Sequence, residues 1–155
     1  METKDFEQEL ARLERRRRQA GMTIIELLAV LAIVSSLASI AIPKYHAIAD
    51  TARVSRAIGD IEAIQISLDT RDTLPDNLLS LNLNLTDPWG NPYVYVKFPH
   101  GTPRVDAFGV QLNTTYDLYS IGPDGSTSTS TNASSSIDDV IRANDGGYIG
   151  SAGKF

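Results

Sequence analysis

The sequence predicts an α+β fold: one long N-terminal helix, half membrane-spanning and half amphipathic, packed on a small antiparallel β-sheet. Three observations predict it. An apolar run from Met22 to Ile42 carries a single charge, Glu26. An amphipathic pattern takes over at Tyr45 and continues to Thr70, with Pro43 as the one strong helix breaker between them. Beyond Pro75, short runs rich in β-branched and aromatic residues alternate with Gly, Pro, Asp and Asn clusters.

The first 21 residues are polar, with six Lys/Arg and five Asp/Glu, and end in four consecutive arginines, Arg15 to Arg18, followed by Gln19-Ala20-Gly21. The run MTIIELLAVLAIVSSLASIAI would be about 31 Å long as a helix, close to the thickness of a bilayer core. It shows no polar face of the kind a soluble helix keeps. The arginine run on its N-terminal side, against Lys44 and His46 on the other, places the N-terminus in the cytoplasm and the remainder outside. This divides the chain into a leader (1–21), a transmembrane helix (22–42) and an exported globular domain (43–155) that includes the amphipathic half of the helix.

Three readings of this N-terminus are open: a plain signal anchor, a removable secretory signal peptide with a weak small-residue site at Ser39-Ile40-Ala41, and a processed junction at Gly21-Met22. The third gives Glu26 a purpose. A carboxylate in hydrocarbon costs roughly 2.5–3.5 kcal/mol on insertion scales, so it calls for a partner. Gly21, Glu26, the helix from Glu26 to Ile42 and the following Pro43-Lys44-Tyr45 resemble the class III leader junction of the type IV pilin-like superfamily. That resemblance implies cleavage after Gly21 by a prepilin peptidase and N-methylation of Met22. It also implies pairing of the Glu26 carboxylate with the terminal amine of a neighbouring subunit during filament assembly. Met22 stands where such junctions commonly have Phe, and the leader is long and partly acidic. Removal of the leader leaves eight basic and 14 acidic residues, so the exported part is acidic.

From Tyr45 onward Ile48, Ala52, Ile58, Ile61, Ile64 and Leu68 form an apolar stripe, with Asp50, Arg53, Arg56, Asp60 and Glu62 elsewhere on the helix. Pro43 is expected to kink or open the helix locally, and Asp69 to Asp76 to end it. Residues 77–86 alternate leucine with polar groups, as a short strand or a packed loop would. Residues 87–93 (DPWGNPY) are a dense turn around the only Trp. Tyr93 to Phe98 is the clearest strand, and Tyr116 to Ile121 a second. Two or three strands packed on the amphipathic helix make a small α+β domain.

Composition narrows function. The chain has 155 residues, no cysteine, two distant histidines (His46 and His100), a net charge of −5 and a pI near 4.9. Disulfide scaffolds and thiolate chemistry are excluded, and nucleic-acid binding is disfavoured. No nucleophile–base arrangement, phosphate loop or paired catalytic acids can be argued, so an enzyme is not expected.

A second resemblance is more specific. The segment at 87–93 is similar to the DPWGxPY segment of the major pseudopilin of type II secretion. Residues 117–125 (DLYSIGPDG) resemble that family's D-x-x-S-x-G-x-D-G segment, and Asp138-Asp139-Val140 its closing D-D-I. The stretch from Ile121 to Asp139 has Asp124, Asp138 and Asp139, many Ser/Thr hydroxyls and no Lys or Arg. By composition it is either a solvated Ser/Thr linker or a loop closed by a hard cation. The resemblance implies calcium, held by the carbonyl of Ile121, by Asp124, by Ser126 and by one of Asp138 and Asp139. An ion would serve as the staple of a small exported domain that has no disulfide.

The family implies a structural subunit that assembles with copies of itself into a periplasmic pseudopilus anchored in the inner membrane. Its implied partners are minor pseudopilins, the inner-membrane secretion platform and, indirectly, a cytoplasmic ATPase. The alternative is a type IV pilus subunit for adhesion, motility or DNA uptake.

Overall fold

The computed structural model describes residues 21–81 and 86–155. The leader residues 1–20, including Arg15 to Arg18, and residues 82–85 lie outside the described residues. The chain divides into two compact units between His46 and Ala47.

Helix α1 runs Ile24–Asp69, 46 residues, with Pro43 inside it. The helix continues in register across Pro43 rather than opening there. In the first unit its side chains are exposed: Ile24 is 79% and Leu37 63% accessible. An exposed apolar surface of this length is stable only against lipid or protein, and α1 is long and apolar enough to cross a membrane. Its serines carry no hydrogen-bonding debt into such a solvent. Ser35 Oγ donates to the Leu31 carbonyl at 2.7 Å, and Ser36 and Ser39 donate to Ile33 and Ser36 at 2.8 Å.

In the second unit the helix acquires a buried face at Ala57, Ile61, Ile64 and Leu68, a 4-3-4 spacing that keeps one side of the helix inward. Val54 and Ile58 flank it, whereas Ile48 is 69% exposed and Ala52 is exposed too. The stripe read from sequence therefore begins too early: its first members have no sheet beneath them.

The sheet is four-stranded and antiparallel, in the order β1 (Val94–Lys97), β2 (Tyr116–Ser120), β3 (Val140–Ala143), β4 (Tyr148–Ser151). The two strands expected at 93–98 and 116–121 are β1 and β2, paired Val94 to Tyr119 through Lys97 to Tyr116. Residues 78–81 form a 3₁₀ turn rather than a strand. The β3–β4 hairpin adds two strands that the sequence reading did not anticipate. All four residues of β3 are buried, Arg142 included, because both faces of the sheet are covered. One face carries Tyr116, Leu118 and Val140 against α1 with Tyr93 and Leu78. The other carries Ile141 and Ala143 under Leu112 and Ala152, with Tyr119 and Tyr148 alongside.

Polar joints fix the helix to the sheet. Tyr93 donates to Asp60 and Tyr116 to Asp69, both at 3.0 Å. Arg142 donates from Nε to Gln65 at 3.1 Å and lies 4.0 Å from the centre of the Tyr116 ring. Burial holds the phenols of Tyr93 and Tyr116 above the usual tyrosine range, and the acceptor aspartates push the same way; Arg142 opposes this at Tyr116. A phenol whose pKa is raised by folding contributes stability below the unfolded value, about 10, and loses it as pH rises further. The melting temperature is expected to fall progressively as pH rises above about 10, and less steeply in Tyr93→Phe. An unchanged slope in that variant would show that the phenol does not titrate with unfolding.

Candidate functional site

Two sites were expected: the processing and assembly junction, and the C-terminal loop. At the junction Gly21 and Met22 precede α1, both exposed, and Thr23 caps it. The Thr23 amide and hydroxyl donate to Glu26 Oε2 at 2.8 and 2.9 Å, and the Glu26 amide donates back to Thr23 Oγ1 at 3.3 Å. This is a reciprocal capping box, which satisfies donors that a helix start leaves open. A carboxylate in the first turn is also favoured by the helix dipole. The signal was present in the sequence as Thr23-x-x-Glu26, and it went unread there because the acid was interpreted only through its cost in lipid.

The three family-like segments of the globular domain, 87–93, 117–125 and 138–140, converge on one end of the sheet. Asp87 is their hub. Its Oδ1 accepts the amides of Trp89 at 3.0 Å and Asn91 at 2.8 Å, fixing the turn around Trp89. Its Oδ2 accepts the Ser120 hydroxyl. Asn91 Nδ2 then donates to the Gly122 carbonyl at 3.0 Å, tying the Trp turn to the loop after β2. Trp89 itself packs against the helix-side core.

Gly122 holds φ +67°, and a Cβ there would lie 2.7 Å from the Asp138 carbonyl oxygen and 2.9 Å from its Oδ2. Glycine is required both by that backbone conformation and by the close approach. Across this contact Asp138 Oδ2 accepts the Asp124 amide at 3.3 Å, and Asp124 Oδ1 accepts the Ser126 amide at 2.7 Å. Ile121 is half-buried, Asp124 and Ser126 are exposed, and Asp138 is partly exposed. The structure thus brings Asp124, Ser126 and Asp138 to one small surface beside Ile121.

Asp139 belongs elsewhere. It is fully buried, and its Oδ2 accepts Arg104 Nη2 at 2.7 Å and Thr127 Oγ1 at 2.6 Å, while its Oδ1 has no hydrogen-bond partner among the described residues. Asp139 is therefore an ion-pair partner of Arg104, and Asp138 is the acid that faces the loop. Among the described residues no three Asp, Glu or His side chains cluster as a metal-holding group. A hard cation at this surface would take most of its oxygens from backbone carbonyls and water, which calcium accepts. The donor chemistry fits that ion, with Asp124 and Asp138 supplying the negative charge.

The Ser/Thr-rich loop is also more ordered than its composition suggested. Ser136 is buried and its hydroxyl bridges the Ser128 amide and carbonyl at 2.9 and 3.2 Å. Thr131 donates its amide to Val105 at 3.0 Å, and Val105 donates to Thr129 at 2.9 Å. The loop closes on the 104–105 segment, a long-range contact with no local signal.

These features define a class: a subunit with an apolar, N-terminally capped helix continuous with a small helix-on-sheet domain, whose loops are cross-braced at one end. Comparison with known proteins narrows it. Residues 16–42 match the prokaryotic N-terminal methylation motif. Type II secretion system core protein G of Pseudomonas aeruginosa is 32% identical over 136 residues, spanning 71% of this chain and 87% of that protein. Core protein G of Escherichia coli (strain K12) is 30% identical over 137 residues, spanning 70% of this chain and 84% of that one. A fimbrial protein of Pseudomonas aeruginosa is 38% identical over 52 residues, 34% of each chain. No solved structure matches. The chain belongs to the type II secretion system core protein G family, the major pseudopilins.

Asp87 should be the least replaceable polar residue of the site. Asp87→Ala removes the acceptor of two amides and a buried hydroxyl and leaves those groups unpaired, at about 1–3 kcal/mol for each one left buried. Urea unfolding is expected to show a loss of about 3 kcal/mol. A loss below about 1 kcal/mol would mean that water replaces the carboxylate.

Proposed function

We infer that this chain is a structural subunit of a type II secretion pseudopilus. The observation that carries the reading is the joining, in one chain, of an exposed apolar helix opened by the Thr23–Glu26 cap to a domain of the core protein G family. The relatives of that name align with about 70% of this chain, whereas the fimbrial relative aligns with 34%. Extent of similarity therefore favours the pseudopilus over a surface pilus for adhesion, motility or DNA uptake. The role asks for packing and not for catalysis.

The mechanism proposed for assembly uses the junction. Cleavage by a prepilin peptidase after Gly21, with methylation of Met22, creates a cationic amine beside a helix whose first turn carries Glu26. In lipid, Glu26 is costly unless compensated. The amine of an adjacent copy supplies the compensation, so side-by-side packing of the helices is favoured over dispersal. The proposed topology has the N-terminus in the cytoplasm and the domain in the periplasm. Partners are further copies, minor pseudopilins and the inner-membrane secretion platform.

For the loop we propose one structural calcium ion, with Asp124, Asp138 and the Ile121 carbonyl as ligands and Ser126 at its edge. When bound, the ion would screen the two carboxylates from each other and hold the start of the loop against β3.

Glu26→Ala is expected to leave membrane insertion intact but to abolish filaments and protein export, with twitching motility unaffected. Filament yield equal to wild type would remove the pairing role; lost twitching with normal export would move the reading to a surface pilus. Calcium is tested by Asp124→Ala. An ion present at a hundredfold excess over its Kd adds about 2.7 kcal/mol of stability. The variant should melt several degrees lower than wild type in calcium and at the same temperature in chelator. Equal drops in both would make Asp124 a turn residue with no ion.

A further inference from the structure

Arg104 is an arginine with 3% side-chain exposure that meets a fully buried carboxylate. Burying such a pair is expensive unless every contact is used. Its guanidinium hydrogen bonds run to the loop and to Asp139, while its Nε has no hydrogen-bond partner among the described residues. Nη1 donates to Thr127 Oγ1 and Nη2 to Asp139 Oδ2, each at 2.7 Å. Thr127 Oγ1 donates to the same Asp139 oxygen at 2.6 Å, closing a triangle. The Arg104 amide donates to Asp117 on β2 at 2.6 Å, and its guanidinium lies 4.3 Å from the centre of the Tyr119 ring. Arg104 thus spans β2, the entry to β3 and the loop. The next residue, Val105, continues the attachment through its backbone bonds to Thr129 and Thr131.

We propose that Arg104 is a built-in cation for this loop. It occupies at Asp139 the position that a bound metal would otherwise have to fill, and it holds Thr127 to Asp139 closed from within. Calcium, on the reading given above, then fastens only the outer part of the loop at Asp124 and Asp138. The loop has two independent closures, one covalently part of the chain and one depending on the medium. A planar guanidinium suits the inner closure because it donates to two acceptors at once and does not lose its charge. The outer closure depends on the calcium reading; the inner one rests on the Arg104 geometry alone.

Amide hydrogen exchange read by mass spectrometry on the full chain in detergent, in calcium and in chelator, separates the two. The amides of Ser128, Thr131, Ser136 and Asp139 are bonded within the loop or to Val105 and report the inner part. In wild type, chelator should accelerate exchange around residues 122–126 and leave the inner reporters within about twofold. In Arg104→Gln, the inner reporters should exchange about tenfold or more faster in chelator, while peptides from β1 and β2 stay protected. Thr127→Val, which keeps the Arg104–Asp139 pair and cuts only its link to the loop, should accelerate Ser128 and Thr131 and spare Asp139. If Arg104→Gln unfolds the sheet, Thr127→Val carries the test. Wild-type inner reporters that open in chelator would overturn the proposal, as would a Thr127→Val chain that exchanges like wild type. A wild type indifferent to chelator throughout, with the variants still loosened, would sink the calcium reading and support the latch.

Discussion

The packing of Ala57, Ile61, Ile64 and Leu68 against Tyr116, Leu118 and Val140 is the contact on which the rest of the molecule depends. Each large side chain taken out of water there contributes roughly 1.5–3 kcal/mol. The contact also marks where the helix gains a buried face. The same helix exposes Leu37, Ile40 and Ile42 at 57–63% and buries Ile61 and Leu68 completely, with no break in the backbone. One continuous helix therefore carries an exposed apolar stretch and, further along, the buried face that holds the sheet.

With the helix occupying one face of the sheet, the other face and the strand ends have to be closed by the remaining chain, and no cysteine is available to do it. Polar groups take that role. Asp87 organises the turn around Trp89 and binds Ser120, Asn91 reaches Gly122, and Asp145 accepts the Thr114 amide and hydroxyl at 2.8 and 2.6 Å. Such networks stabilise only when satisfied, because a buried group left unpaired costs more than a typical bond contributes. The network also accounts for the close approach of Gly122 to Asp138: the loop is drawn in until only glycine fits.

What could be read in the sequence follows from how local each signal is. The apolar run, the helix end at Asp69 and strands β1 and β2 depend on neighbours a few residues apart, and the sequence shows them directly. Gly21, Met22 and Glu26 formed a local motif, and so did the three family-like segments. β3 and β4 were hidden because β3 is covered on both faces. Alternation, the usual strand signal, disappears when Val140, Ile141, Arg142 and Ala143 are all inside. Arg104 could not be found at all: its partners Asp139 and Thr127 lie 35 and 23 residues away, and a lone arginine in a loop normally signals solvent. The choice between Asp138 and Asp139 had the same cause. Two adjacent acids entering a strand point to opposite faces, and only the position of Arg104 shows which one is already taken.

Glu26 and Asp139 present the same physical problem in different surroundings. Asp139 is buried, and Glu26, on the assembly proposed above, would lie in hydrocarbon; an isolated charge is unfavourable in either place. Asp139 has a permanent solution within its own chain, a guanidinium and a hydroxyl on one oxygen. Burial outweighs the bonds from Thr127 and Arg104 and holds its pKa above the usual carboxylate range, so the pair depends on those two contacts. Glu26 has only a provisional one. Both bonds from Thr23 fall on Oε2 and come from neutral donors of the same helix turn. They orient the carboxylate without cancelling its charge. On the assembly proposed above, an acid that is positioned but not neutralised by its own chain retains an attraction for a cation from a neighbouring copy, which sets it apart from a residue whose charge is answered within its own subunit.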